Sequence, residues 1–420
     1  MNCEDAPERS RSPLKFLVIQ LARFGDLVQT KRLLLSLQQS GEVHLLVDST
    51  LTALARIVYP GVQVHGIAAH GVHGPDILSL AHADLGHIAD LDFHRVYNLN
   101  FSGLNFALAG MFEPSTVRGY RARQGQRLID SWPKQIMRWT RDRSLTGLNL
   151  VDVWGLCAEQ PVPPMRVNPE ASPRGGGIGV VMAGQNARRS LPASMLAPLV
   201  AAALGGVGRG PIHLLGSGGE RRAAKELVAL LPATLKGEVR NLVGRTGWSE
   251  LHDVVGGLDL LVSPDTGTMH LAAHLGVPVL AFFLSSAWCH ETGPYGRGHL
   301  VLQAAKDCAP CLETAPCPHD TACRRVFSDP SVLRHVSGHT AKALAPGCLA
   351  MESDFDELGL IFSAVAGIDP GAERRRAFRA MAAAYAGVPM PGGAGLMPDE
   401  TWMGERDWML PQTLRGRDHD

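Results

Sequence analysis

Two short stretches concentrate the groups most able to do chemistry. In Leu260-Leu261-Val262-Ser263-Pro264-Asp265-Thr266-Gly267-Thr268-Met269-His270 a run of buried β-formers gives way to a helical pattern. Asp265 or Thr266 can cap that helix, and Gly276 followed by Pro278 closes it. Gly267 removes a side chain where a ligand could approach the N–H groups of the first turn. Those N–H groups, on Gly267, Thr268 and Met269, and the helix dipole favour a phosphate. An ordinary, well-capped strand–helix junction has the same pattern. A carboxylate beside phosphates repels them, so Asp265 is expected to cap the helix from outside the phosphate path or to meet a sugar hydroxyl. The second stretch is Cys308-x2-Cys311-x5-Cys317-x5-Cys323. Four thiolates this close could enclose a tetrahedral Zn²⁺ or Fe ion, with unligated thiols as an equal alternative. Either reading is favoured over a disulfide framework in a cytosolic protein.

The elements that must position these groups follow from periodicity. Lys15–Gln20 reads as a buried strand, followed by a Gly-containing loop and a helix from Asp26 to about Gln39. Strands near 43–47, 62–66 and 95–100 alternate with helices at 51–59 and 102–110, the signature of βαβ units and a parallel sheet. After a Pro-rich stretch at 161–173 the alternation restarts. It runs through strands at 178–182, 211–215, 241–243, 258–263 and 277–283 and helices at 194–204, 220–231, 248–256 and 268–275. The expected architecture is α/β, with two Rossmann-like parallel-sheet domains. A helix over 355–365 is expected to cross back to the first domain. Residues 372–386 form an Arg/Ala-rich helical pattern read as a loosely attached appendage, ahead of a polar tail with Trp402 and Trp408. The histidines at 65, 70, 73, 82, 87 and 94 lack helical His-x3-His or zinc-finger spacing and read as a polar loop region rather than a metal site.

Composition narrows the class of function. The chain has 420 residues, with 40 Lys plus Arg against 40 Asp plus Glu, so no net field favours nucleic acid. No apolar run is long enough to span a bilayer, and the polar start of the chain has no secretory h-region.

Four segments together resemble the lipopolysaccharide heptosyltransferases, glycosyltransferase family nine. They are Ser263–Pro278; Phe16–Asp26, similar to the family's first strand and Gly-Asp loop; Val117-Arg118-Gly119-Tyr120; and Thr292-Gly293-Pro294-Tyr295-Gly296. The likeness runs from about Leu14 to Leu333. It implies a GT-B fold with two domains facing a central cleft, an inverting mechanism and ADP-heptose as the usual donor. By the same resemblance Asp26 matches the general base, a role suited to a carboxylate at a strand end; its plain alternative is a helix N-cap. Glu220 matches the acidic residue that accepts hydrogen bonds from the donor ribose, with a first-turn Glu complementing the dipole as the alternative. Arg188 and Arg189 stand where the family has a Lys that offsets charge on the departing diphosphate, and Leu191 replaces its aromatic neighbour. The motif also makes His270 a candidate donor to the diphosphate, against the simpler reading of a packed core histidine.

The expected organisation is a polar tail over 1–13, an acceptor-binding domain over 14–168, a nucleotide-sugar-binding domain over 175–350, a crossover helix over 351–370 and a helix with a flexible tail over 371–420. The expected partners are a nucleotide-sugar donor and a glycolipid acceptor, the lipopolysaccharide inner core at the inner-membrane surface. No nucleic acid and no transmembrane segment are expected. The expected location is cytoplasmic, with peripheral attachment to that membrane. No cofactor is required for catalysis. Two alternatives stand beside this reading: a same-fold transferase using another donor or a protein acceptor, and a non-catalytic sugar-nucleotide or metal-binding module.

Overall fold

A computed structural model describes residues 13–70, 85–138, 143–145, 147–182, 187–208, 210–284, 286–311, 316–339 and 343–390. The polar tail over 1–12, His73, His82 and everything beyond residue 390 lie outside them. The chain divides into two compact units. One comprises 1–22 and 34–130, the other 23–33 and 131–420. The division therefore falls at residue 130 rather than in the Pro-rich stretch. The reason is local: Asn168 donates to the Tyr295 carbonyl at 2.7 Å, and Arg32 donates to the Val162 carbonyl at 3.1 Å.

The first unit holds a six-stranded sheet in the order β3-β2-β1-β4-β5-β6. Its strands are β1 (Leu14–Gln20), β2 (Gly41–Asp48), β3 (Gln63–Ile67), β4 (Arg95–Asn98), β5 (Val117–Arg123) and β6 (Gln126–Ile129). All pairs are parallel except β5 with β6. Leu17, Val18 and Ile19 are fully buried, as a central parallel strand covered on both faces requires. Gly119 takes φ +78° where an added Cβ would strike the Asn98 carbonyl, so that position of the Val117–Tyr120 segment needs a glycine.

The second unit holds an eight-stranded sheet in the order β14-β13-β12-β11-β10-β7-β8-β9. Its strands are β7 (Ile178–Val181), β8 (Ile212–Leu215), β9 (Val239–Asn241), β10 (Leu260–Ser263), β11 (Val279–Phe283), β12 (Leu300–Ala304), β13 (Cys348–Phe355) and β14 (Leu360–Ala366). The run β9-β8-β7-β10-β11-β12 is parallel and has the doubly wound order, with its switch point between β7 and β10.

Three expectations are corrected here. The 351–370 region is a β-hairpin, not a crossover helix: β13 pairs antiparallel with both β12 and β14. Its turn is fixed by Asp356, whose Oδ1 accepts from the N–H groups of Leu358 and Gly359, each at 3.0 Å. A short apolar run such as Leu360–Ala366 reads equally as helix or strand, and the Asp-x-x-Gly turn decides it. The Ala372–Ala386 helix is not loosely attached either. Phe378, Ala382 and Ala383 pack with Ile136, Leu148, Val153 and Leu358, and Arg379 donates to the Leu360 carbonyl at 3.0 Å. The helix expected over 26–39 is broken at Thr30 into Phe24–Gln29 and Lys31–Gln38.

Candidate active site

Ligands of doubly wound sheets bind beyond the carboxyl ends of the strands at the switch point. In the second unit those ends carry a cavity of about 610 Å³. Arg189 follows β7, Ser217 and Glu220 follow β8, Asp265 to Thr268 and His270 follow β10, and Ser286 to Thr292 follow β11; all of these loops contribute lining residues. The Phe24–Gln29 helix adds Phe24, Gly25 and Asp26.

The Gly267–His274 helix is capped by Thr266, whose hydroxyl accepts from the Met269 N–H at 3.4 Å and lies 3.0 Å from the Ser263 hydroxyl. Gly267 and Thr268 line the cavity, while the Met269 side chain is fully buried and its N–H serves the cap. Met269 thus leaves the group of ligand-facing residues that the sequence suggested. Gly267 is required for packing: a Cβ there would collide with the Phe24 ring. A Cβ at Gly25 would sit 3.1 Å from His270 Cδ2. Two glycines let the two helices approach closely enough to bring Asp26 to the cavity.

Asp265 is an organiser. Its Oδ2 accepts from Arg189 Nη1 at 3.2 Å and from the Thr292 hydroxyl at 3.1 Å. Its Oδ1 lies 3.7 Å from His270 Nε2. Burial pushes the Asp265 carboxyl up to about 6; the Arg189 charge and the Thr292 hydroxyl oppose this, while Asp26 and Glu291 add to it. Burial also pushes His270 down to about 3, so its imidazole is neutral.

Asp26 accepts from the Arg23 N–H at 3.1 Å, tying down the start of the Phe24–Gln29 helix. Its carboxyl is raised above the ordinary value, chiefly by burial, against the pull of Arg23 and Arg189. That contact and the raised carboxyl coexist in one residue. Glu220 Oε2 accepts from the Ser217 hydroxyl at 2.7 Å. Gly216, at φ +159°, leaves room for that carboxylate: an added Cβ would approach Glu220 Oε2 to 3.1 Å.

The two arginines separate. Arg189 lines this cavity, whereas Arg188 lines a different one and donates to Cys311 Sγ at 3.3 Å. Arg188 is thereby removed from the expected donor-binding set. The second cavity, about 470 Å³, is lined by Cys308, Cys311, Cys317 and Cys323 together with Lys306 and His319. Burial raises the Cys311 thiol; the Arg188 charge opposes this and the other three sulfurs add to it. The four cysteines are brought together as their spacing suggested. As placed, however, no group of three or more His, Cys, Asp or Glu among the described residues is arranged to hold a metal ion.

Sequence reasoning missed Arg143 and Glu291. Arg143 grips Glu291 with two hydrogen bonds, 3.1 and 2.5 Å, and donates to the Cys311 carbonyl at 3.0 Å. The pair lines the donor-side cavity, and a separation of 148 residues leaves no local signal. Among the histidines, His65 Nε2 lies 2.9 Å from His44 Nδ1 and its Nδ1 lies 3.3 Å from His87 Nε2. His65 belongs to β3, not to a loop.

Comparison with known proteins places this geometry. The model of glycosyltransferase family 9 (heptosyltransferase) matches residues 204–320, the span that carries Glu220, the Gly267–His274 helix and Thr292–Gly296. Over that span the chain is similar to glycosyltransferase family 9. The chain is 37% identical over 98 residues to lipopolysaccharide heptosyltransferase 1 of Pseudomonas aeruginosa, covering 23% of the chain and 26% of that relative. The match therefore spans about a quarter of the relative's length. Three solved structures share the fold: E. coli ADP-heptose lipopolysaccharide heptosyltransferase II (TM-score 0.51, 18% identity, 69% of this chain and 90% of that one); a family 9 glycosyltransferase from Veillonella parvula (0.57, 16%, 79% and 97%); and an E. coli heptosyltransferase with ADP (0.52, 16%, 72% and 96%). The fold class is GT-B. No helix among the described residues is long and apolar enough to cross a membrane.

Proposed function

We propose that the chain is an inverting glycosyltransferase that moves a heptose from ADP-heptose to a hydroxyl of a lipopolysaccharide inner-core acceptor. The observation that carries this is the meeting of Asp26, Arg189, Glu220 and the start of the Gly267–His274 helix around one cavity. Glu220 accepts from the ribose hydroxyls. The Gly267 and Thr268 backbone and Arg189 hold the diphosphate and stabilise the charge that develops as it leaves. Asp26 takes the acceptor proton as the anomeric carbon gains oxocarbenium character, and its raised carboxyl suits it to that task. The first unit would bind the acceptor, and the reaction would run on the cytoplasmic side, with peripheral contact to the inner membrane. The test is transfer by purified protein with ADP-heptose, UDP-glucose and GDP-mannose in parallel, using a deacylated heptose-free core acceptor. Transfer from ADP-heptose and loss in Asp26→Asn support the reading. Turnover only with another donor or with a polypeptide acceptor replaces it, and no turnover with any pair favours a binding module.

The cysteine cavity supports a separate structural role. Four thiols facing one space with Arg188 nearby are suited to Zn²⁺ or Fe once the sulfurs draw closer than they stand here. Metal analysis of protein purified without chelator, compared with Cys311→Ser, tests this. Absence of stoichiometric Zn or Fe ends it.

A further inference from the structure

Among the described residues, the buried polar atoms beside the cavity that lack a hydrogen-bond partner include the Ser286 hydroxyl and the Trp288 indole Nε1, with Gln29 Oε1 alongside. Ser286 and Trp288 are 6% and 5% exposed, and both line the 610 Å³ cavity. A buried indole N–H can only donate, and leaving it unmet costs free energy that a bound acceptor would recover. The sheet order says which part of a ligand reaches them. Across β8-β7-β10-β11 the loops present Glu220, then Arg189, then the Gly267–His274 helix, and last the Ser286–Thr292 segment. Three strand spacings cover about 14 Å, a span suited to a ribose at one end, a diphosphate in the middle and a sugar at the other end.

The charge pattern agrees. The β11 end is lined by Glu291 and lies beside Asp265 and Asp26, whose carboxylates influence one another. Its carboxylates already engage Arg143 and Arg189, so the sector favours neutral hydroxyl donors over a further anion. A neutral polyol fits it, because sugar hydroxyls donate to the carboxylates and accept from Ser286 and Trp288. We infer that Ser286 and Trp288 form the subsite for the transferred sugar and help select it through its hydroxyl groups. This rests on the donor reading above. The Trp288 ring has a second contact: Arg375, from the Ala372–Ala386 helix, lies 5.6 Å from its centroid. Arg375 also donates to the Ser144 carbonyl at 3.2 Å, so the subsite is braced from behind.

The test is titration calorimetry of the full chain with ADP and with ADP-heptose, on wild type, Ser286→Ala and Trp288→Phe. Phe keeps a ring for Arg375 and removes the N–H together with part of the indole's volume. Each variant is expected to bind ADP-heptose about 3- to 10-fold more weakly and ADP as the wild type does. Equal loss for ADP and ADP-heptose moves these residues to the diphosphate and overturns the inference, as does unchanged ADP-heptose binding in both variants. Wild-type protein that binds neither ligand overturns the donor reading itself, a result distinct from either. Because binding is compared with ADP on the same sample, a misfolded variant shows itself as loss of both, and unchanged circular dichroism separates that case from a diphosphate contact.

Discussion

Arg189 Nη1 and Asp265 Oδ2 stand 3.2 Å apart, so the cation suited to a diphosphate is held by a carboxylate that a diphosphate would repel. On the proposed function, the pair accounts for an acidic residue beside the diphosphate: its charge is spent on orienting the arginine. Asp265→Asn should therefore raise the donor KM and lower kcat together, by about 10-fold or more in kcat/KM. Arg189→Ala should do the same, whereas Arg188→Ala should leave steady-state parameters within about twofold. Equal effects of the two arginine variants would contradict the assignment.

Asp26→Asn separates the two jobs of that side chain. The amide oxygen still accepts from the Arg23 N–H, so that contact survives, while the proton acceptor is gone. Transfer should fall by roughly 10²- to 10⁴-fold with the ADP dissociation constant within about twofold. Substantial transfer by the variant would remove Asp26 from the chemistry.

The acid limb of the activity profile has a stated direction. Burial raises the Asp26 carboxyl above its ordinary 3.8, and the proposed mechanism needs it ionised. Thus kcat/KM should rise with pH through a midpoint above 3.8, and a midpoint at or below that value sinks the assignment.

Stability has its own pH dependence in the first unit. Burial, followed by the neighbouring His44 and His87, holds His65 down at about 4, against 6.5 in an unfolded chain. The unfolded state then binds the extra proton first. This contribution is complete above about pH 6.5 and is lost as pH falls toward 4. Calorimetric melting should drop by about 2–4 °C between pH 7 and pH 5 from this source, and His65→Asn should flatten that slope.

The Ala372–Ala386 helix is structural. Phe378 is fully buried, so Phe378→Ala should cost about 3–5 kcal/mol, read from the midpoint of urea unfolding. A loss below 1 kcal/mol would return the helix to a peripheral appendage.

Much of this arrangement was legible because it is local. The helix at Trp248–Gly256 has the expected bounds, and the Asp265–Thr268 turn carries its cap and glycine within a few residues. Asp26 and Glu220 were singled out the same way, each at a strand end or helix start, and both line one cavity. What escaped notice depends on long-range pairing or on direction. Arg143 and Glu291 meet across most of the second unit. Arg188 and Arg189 are neighbours on a single turn of 3₁₀ helix yet serve different cavities. Ser286 and Trp288 announce themselves only by lacking a partner, a property no sequence pattern records. The β13–β14 hairpin was misread because its apolar run fits two periods.

The glycine seam between the Phe24–Gln29 and Gly267–His274 helices has a consequence for mutational tolerance. Phe24 cannot yield to a side chain at 267, because its ring is held edge-on by Trp248 at 5.1 Å. Gly25 and Gly267 should therefore be intolerant in a saturation scan even to Ala. Enlarging one cannot be rescued by shrinking the other, since both are already at the lower limit of size. The seam works as a fixed gauge block: it sets the spacing between Asp26 and the start of the Gly267–His274 helix by the width of two bare backbones, a distance that no ordinary sequence drift can tune.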